Sequence, residues 1–214
     1  MKNAIALIAA YALYSSASAG NVQILVLDKE GKPVVDAVVV MYPGTATPNP
    51  ALVPRTATVV QEKMRFVPEV TVVTTGTSVR FTNQDRWDHH LRGSTAGLVA
   101  APTTDGFEMR LAGKVDGKTA SSSDVTMDKP GATFLSCHIH GSMRGTIFVT
   151  DSDWTLKTNA DGLAQFANVP SGAVKMRVWH PDQLLDLAPQ VLQVNDAALN
   201  QTVKLSVVPR RRRI

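Results

Sequence analysis

Apolar residues recur with a period of two along most of this chain, the spacing of half-buried strands rather than of helices. Val22–Leu27 and Val34–Met41 read as strands, separated by the turn signal Asp28-Lys29-Glu30-Gly31 and closed by Pro43-Gly44. A Thr- and Pro-rich link from Thr45 to Pro54 follows. Met64–Phe66, Glu69–Val73 and Ser78–Thr82 come next, the last with Val79 and Phe81 on one face. Asn83–Thr104 and Val115–Lys129 read as loops, the second with Val125 and Met127 as strand candidates. Between them, Phe107, Met109 and Leu111 alternate with Glu108 and Arg110. Thr133–Cys137 and Gly145–Thr150 are strands flanking a histidine-bearing turn. Beyond Asp151, strands are expected at Trp154–Lys157, Leu163–Phe166, Val174–Trp179, Val191–Val194 and Thr202–Val208, with Asp182–Leu187 as a candidate helical turn. Asp161-Gly162 and Pro170-Ser171-Gly172 supply turns. Many short strands at close spacing predict an all-β chain of one or two β-sandwiches.

The start of the chain breaks this pattern. Lys2, the apolar run Ala4–Tyr14 and the small residues Ala17-Ser18-Ala19 form the layout of a cleavable secretory signal peptide over residues 1–19. An uncleaved N-terminal anchor is the alternative. No later run approaches the roughly 18 apolar residues of a membrane span. The expectation is therefore a periplasmic or secreted protein without stable membrane insertion. Its composition, 44% hydrophobic and 19% charged, excludes a wholly disordered chain. Lys2 and Arg210–Arg213 supply five positive charges, so the net charge of +4 leaves the remaining body at −1. The basicity lies in the tail 210–214 and reads as a solvated end, and no nucleic-acid partner is expected.

A single cysteine excludes an internal disulfide framework and a Cys-rich zinc site. In an oxidising compartment that thiol is buried, paired with another molecule or bound to a metal. It sits in Cys137-His138-Ile139-His140-Gly141-Ser142-Met143, so a thiol, an imidazole and a thioether fall within seven residues. All three are donors to soft or borderline metals. Strand geometry sends Cys137 and His140 to opposite faces, so a turn must bring them together, and Gly141 offers the freedom for one. A further imidazole has to come from Asp88-His89-His90, and the spacing leaves His89 and His90 both open. His138 is expected at the surface or beside the ligands. Trp87 is expected to fill the core or cover the site. His180 reads as a surface or capping residue. Two imidazoles and a cysteine with a long methionine form the donor set of an electron-transfer copper site. No Ser-His-Asp or paired-carboxylate arrangement points to an enzyme.

These residues resemble the cupredoxin family, amicyanin more than plastocyanin. Cys137-His138-Ile139-His140-Gly141-Ser142-Met143-Arg144-Gly145 is similar to the short amicyanin ligand loop, and Gly76–Asp85 is similar to the strand before the first ligand histidine. The resemblance covers about residues 52–150. It implies a Greek-key β-sandwich holding one type 1 copper ion through His89, Cys137, His140 and Met143, and it favours His89 because Leu91 falls where the family has an apolar residue. It further implies an exported electron carrier of methylamine-utilisation type, with redox partner proteins docking near His140, Gly141, Ser142 and Met143. Ile139 replaces a proline usual in the family, His90 an asparagine, and Leu135 and Thr133 two aromatics. A copper-handling protein without redox turnover, or a structural β-sandwich, are the alternatives.

Val26–Val40 and Lys157–Gly172 resemble the two halves of a carboxypeptidase regulatory-like, transthyretin-like β-sandwich. The expected architecture is nested: residues 20–51 and 151–209 form that sandwich, and the copper domain, 52–150, is inserted into it. One enlarged cupredoxin with extra strands is the alternative.

Overall fold

Valine, isoleucine, threonine and aromatic residues at alternate positions fill pleated surfaces well, and here they build strands throughout. The computed structural model describes residues 18–44, 53, 55–95, 106–183 and 185–207. Most of the expected leader, most of the link 45–54 and the basic tail 210–214 lie outside the described residues. Sixteen strands are present among the described residues and no helix. They begin with β1 (Ala19–Leu27), β2 (Val38–Pro43), β3 (Thr56–Glu62), β4 (Arg65–Val67), β5 (Val70–Thr74), β6 (Thr77–Asn83), β7 (His89–Thr95) and β8 (Phe107–Leu111). There follow β9 (Ser122–Met127), β10 (Gly131–Cys137), β11 (Arg144–Thr150), β12 (Thr155–Lys157), β13 (Leu163–Pro170), β14 (Gly172–Trp179), β15 (Gln190–Val194) and β16 (Leu199–Lys204). Among the described residues, no helix is long and apolar enough to cross a membrane.

The strands form four sheets. Two draw on the chain's ends, in the orders β13-β1-β16 and β12-β2-β14-β15. Two draw on its middle, in the orders β5-β11-β10-β7-β8 and β4-β3-β6-β9. The first pair packs face to face over Val22, Ile24, Met41, Phe166, Met176 and Val203. The second pair packs over Val59, Val79, Phe81, Leu91, Leu135 and Ile147. A small third cluster, with Val38 and Val40 against Val70 and Phe148, joins the two bodies. Lys157 ties the junction by donating to Asp36 Oδ1 at 2.7 Å and to the Val70 carbonyl at 2.6 Å.

Several local expectations differ from the structure. Val34–Met41 is not one strand: Asp36 has φ 61°, and only Val38 onward is extended. Thr158 imposes the break, since its hydroxyl accepts from Ala37 N–H at 2.9 Å and donates to the Val34 carbonyl at 2.6 Å. Thr56–Glu62, where no strand is expected, is one, and His89–Thr95, expected as loop, is the strand β7. Ser122–Met127 is likewise strand throughout. The described part of Asp182–Leu187 holds no helix: Asp182 lies in a turn closed by Gln183 N–H donating to the His180 carbonyl at 3.0 Å, and the described residues after it are irregular. Trp87 does not fill the core, being 57% exposed.

Gly93 shows how tightly β7 is held. A Cβ there falls 2.3 Å from Cε1 of Phe107, whose ring lies 5.6 Å from that of Phe81 in the core. Gly93→Ala is expected to destabilise the fold by about 1–3 kcal/mol through overpacking, read as a lower denaturant midpoint at unchanged slope.

His180, at the end of β14, caps the turn by accepting from Asp182 N–H at 3.1 Å and is 9% exposed. Burial pushes its pKa below the ordinary 6.5, against the opposing pull of the Asp182, Asp36 and Glu69 carboxylates and the Val35 carbonyl. The unfolded chain therefore takes up this proton at higher pH than the folded one. The stability that neutral His180 contributes is full above the unfolded value and is lost as pH falls toward the folded value. Thermal midpoints should drop as pH is lowered below 6.5, and His180→Gln should flatten that dependence.

Candidate metal centre

Period-two geometry decides which histidine points inward. On β7, His89, Leu91 and Gly93 are buried, while the side chains of His90 and Arg92 face out. Cys137 ends β10, paired with Leu91 of β7, and is 4% exposed. The residues after it leave the strand, and Met143 N–H donates to the His140 carbonyl at 3.0 Å to close the turn before β11. Gly141 is not among the residues with positive φ, so the turn does not use the left-handed freedom a glycine offers there.

Three donor atoms converge as a result. His89 Nδ1 lies 3.7 Å from Cys137 Sγ, His140 Nδ1 lies 3.7 Å from the same sulfur, and the two nitrogens are 3.2 Å apart. All lie within 4.8 Å of one another. Met143 is 1% exposed and packs in the same cluster as Cys137 and Leu91, its side chain turned away from the surface. His90 is not part of this group: its Nε2 pairs with Glu108 Oε1 at 2.9 Å. His138 is exposed, with its ring 5.6 Å from that of His90.

Asp85 sets the tautomer of His89. Its Oδ2 lies 2.9 Å from His89 Nε2, and both residues are buried. An ionised carboxylate only accepts, so the proton sits on Nε2 and Nδ1 presents its lone pair to the cluster. This is the carboxylate–histidine arrangement that orients metal ligands. Asp85 is itself held: Oδ1 accepts from Lys63 N–H at 2.6 Å and Oδ2 from Met64 N–H at 2.9 Å. Lys63 and Met64 form the β3–β4 turn, with φ values of 53° and 55° that aim both amides at one carboxylate. Burial pushes the Asp85 carboxyl up, but the bonds from Met64, His89 and Lys63 outweigh it and hold its pKa below the usual carboxylate range. Asn83 fixes the same loop. Its Oδ1 accepts from Asp85 N–H at 2.9 Å, and its fully buried amide nitrogen bonds the Trp87 carbonyl at 2.8 Å and the Ala112 carbonyl at 3.0 Å. Sequence reasoning did not single out Asp85 or Asn83 for these roles. The only local signal is the Asn83-x-Asp85-x-x-x-His89 spacing.

The donor set can be tested against an ion. Metal–nitrogen bonds of about 2.0–2.1 Å and metal–sulfur bonds of about 2.3 Å put neighbouring donors roughly 3.3–3.8 Å apart around one centre. The three separations, 3.2, 3.7 and 3.7 Å, match that triangle. Lone pairs of one thiol and two imidazoles, meeting in a largely buried pocket, are better satisfied by a cation than by one another. The residues present therefore fit a soft or borderline metal ion.

Comparison with known proteins found no matching family model and no matching curated protein. Among solved structures, the chain is similar to amicyanin from Paracoccus versutus, at 23% identity over 51% of this chain and 97% of that one, TM-score 0.33. It is similar to auracyanin from Roseiflexus castenholzii, at 17% identity over 46% and 98%, TM-score 0.36. It is also similar to a copper-containing nitrite reductase from Thermus scotoductus SA-01, at 22% identity over 59% of this chain, TM-score 0.35, and spans 28% of that protein's length.

Proposed function

We propose that this chain is an exported electron carrier of cupredoxin type, binding one copper ion through His89, Cys137 and His140, with Met143 as a weak fourth donor. The observation that carries the proposal is the convergence of one thiol sulfur and two imidazole nitrogens within 4.8 Å. Copper in such a donor set supplies a one-electron change between its two common oxidation states. The chain's own part is to hold the donors still. His89 comes from β7 and is locked by Asp85; Cys137 comes from β10, hydrogen-bonded to β7 and β11 on either side. Fixed donors that suit both charge states lower the cost of changing between them, and the apolar cluster of Leu91, Phe66 and Leu135 around the site tunes the potential. Three strong protein donors and a thioether leave no position for a substrate, which favours a carrier over a metal catalyst.

His140 is half-buried where His89 is fully buried, so its ring edge is the route by which electrons enter and leave. Exposed Trp87, just before β7 and His89, and Ile139, in the turn between β10 and β11 that carries His140, offer apolar surface for a redox partner protein. On the same reading, residues 20–51 and 151–209 form a carboxypeptidase regulatory-like sandwich interrupted by the copper domain. The division of the sheets between the chain's ends and its middle supports that arrangement.

Voltammetry of the copper-loaded protein separates a carrier from a copper-handling protein. The expected result is a reversible one-electron wave, with the copper held by Cys137 retained after dialysis in either oxidation state. Release of the ion on reduction would instead assign copper delivery.

A further inference from the structure

The sheet that carries Cys137 has a second histidine pair on its other face. His89 and Cys137 point inward; His90 and His138, the next residue in each case, do not. The two are brought together by the sheet itself, since His138 N–H donates to the His90 carbonyl at 2.9 Å. Their rings stand 5.6 Å apart at 39°. From the adjacent strand β8, Glu108 reaches the same spot, and its Oε1 lies 2.9 Å from His90 Nε2. Arg92 stands directly opposite Glu108 in register, yet the carboxylate pairs with the imidazole. Arg110, the neighbour of His90, is held by Asp88 at 3.1 Å.

We propose that His90, His138 and Glu108 form a second, outer site for a first-row divalent cation of borderline softness, copper(II) or zinc(II). Two imidazoles and one carboxylate are the donor types such ions take. Bonds of about 2.0–2.2 Å place neighbouring donors of a tetrahedral site roughly 3.3–3.6 Å apart, so His90 Nε2 and Glu108 Oε1, now hydrogen-bonded at 2.9 Å, need only a small separation to hold an ion between them. A cation entering there replaces the hydrogen bond between them, and the exposed His138 ring turns to supply the third donor. Glu108 offsets part of the cation's charge, while Asp88 draws the Arg110 guanidinium aside. The outer site shares two peptide links with the inner donors, His89–His90 and Cys137–His138, so the two lie back to back across one sheet. It does not depend on what the inner site binds.

Zinc(II) titration by calorimetry tests the proposal in Cys137→Ser protein, from which the inner thiol is gone. The expected result is one equivalent bound. In that background His138→Ala and His90→Ala each weaken binding by roughly 10–100-fold or more, Glu108→Gln weakens it less, and His89→Ala leaves it unchanged. Circular dichroism identifies the variants that fold. If an alanine variant fails to fold, the corresponding glutamine variant, which keeps the bulk of the side chain without the imidazole, replaces it in the same titration, with the same weakening expected. No zinc uptake, uptake that survives His138→Ala, or uptake lost with His89→Ala would overturn the proposal. A blue-copper spectrum that fails to form in the unsubstituted protein would count against the inner site alone.

Discussion

Cys137→Ser abolishes the intense visible thiolate-to-copper absorption that the copper(II)-loaded protein is expected to show. Copper affinity falls by more than the roughly 10–100-fold that loss of a ligand's hydrogen-bond partner costs. The sulfur is the one soft donor in the triangle and lies 3.7 Å from each imidazole nitrogen. A serine hydroxyl is harder, shorter in reach and protonated at neutral pH, so the triangle opens on one corner. The fold survives the change. Cys137 ends its strand at the edge of the apolar cluster, and burying one extra hydroxyl costs about 1–3 kcal/mol. Absorption spectra of copper-titrated wild-type and variant protein check the result, with thermal unfolding as the control.

Asp85→Asn produces the second large effect, although residue 85 offers no donor to the inner triangle. The carboxylate satisfies three donors at once: the His89 ring and the amides of Lys63 and Met64. An asparagine side chain must turn an NH2 toward one of them. If it faces His89, the ring loses the partner that keeps the proton on Nε2, and the lone pair at Nδ1 is no longer fixed. If it takes the other oxygen's place, Lys63, at positive φ, loses the acceptor that holds it there. Copper affinity should fall by about 10–100-fold and stability by about 1–3 kcal/mol. A purely structural role would change the unfolding midpoint without weakening copper binding by the folded variant. Competition against a chelator and denaturant titration, run on the same preparation, separate the two.

The strands with strong alternation were legible in the sequence, and so was the Cys137-x-x-His140-x-x-Met143 run. β7 was not. Its residues, His-His-Leu-Arg-Gly-Ser-Thr, are polar and include a glycine, and they become a strand because β10 and β8 pair with them on both sides. Strand formation here comes from tertiary pairing rather than local preference. The same pairing separates His89 from His90, which spacing alone left open, since only the phase of the strand decides which imidazole faces the thiol. β3 was hidden for a related reason: Thr56 and Thr58 alternate with small Ala57, and the strand forms along β6. The break in Val34–Met41 depends on Thr158, more than a hundred residues away. Asp85 acts through a turn at Lys63-Met64 that comes close only once the sheet has formed.

X-ray absorption at the copper edge of the loaded protein tests the central claim most directly. One sulfur at roughly 2.1–2.3 Å and two imidazole nitrogens near 2.0 Å are expected. A shell of nitrogen and oxygen alone, unchanged in Cys137→Ser protein, would contradict it.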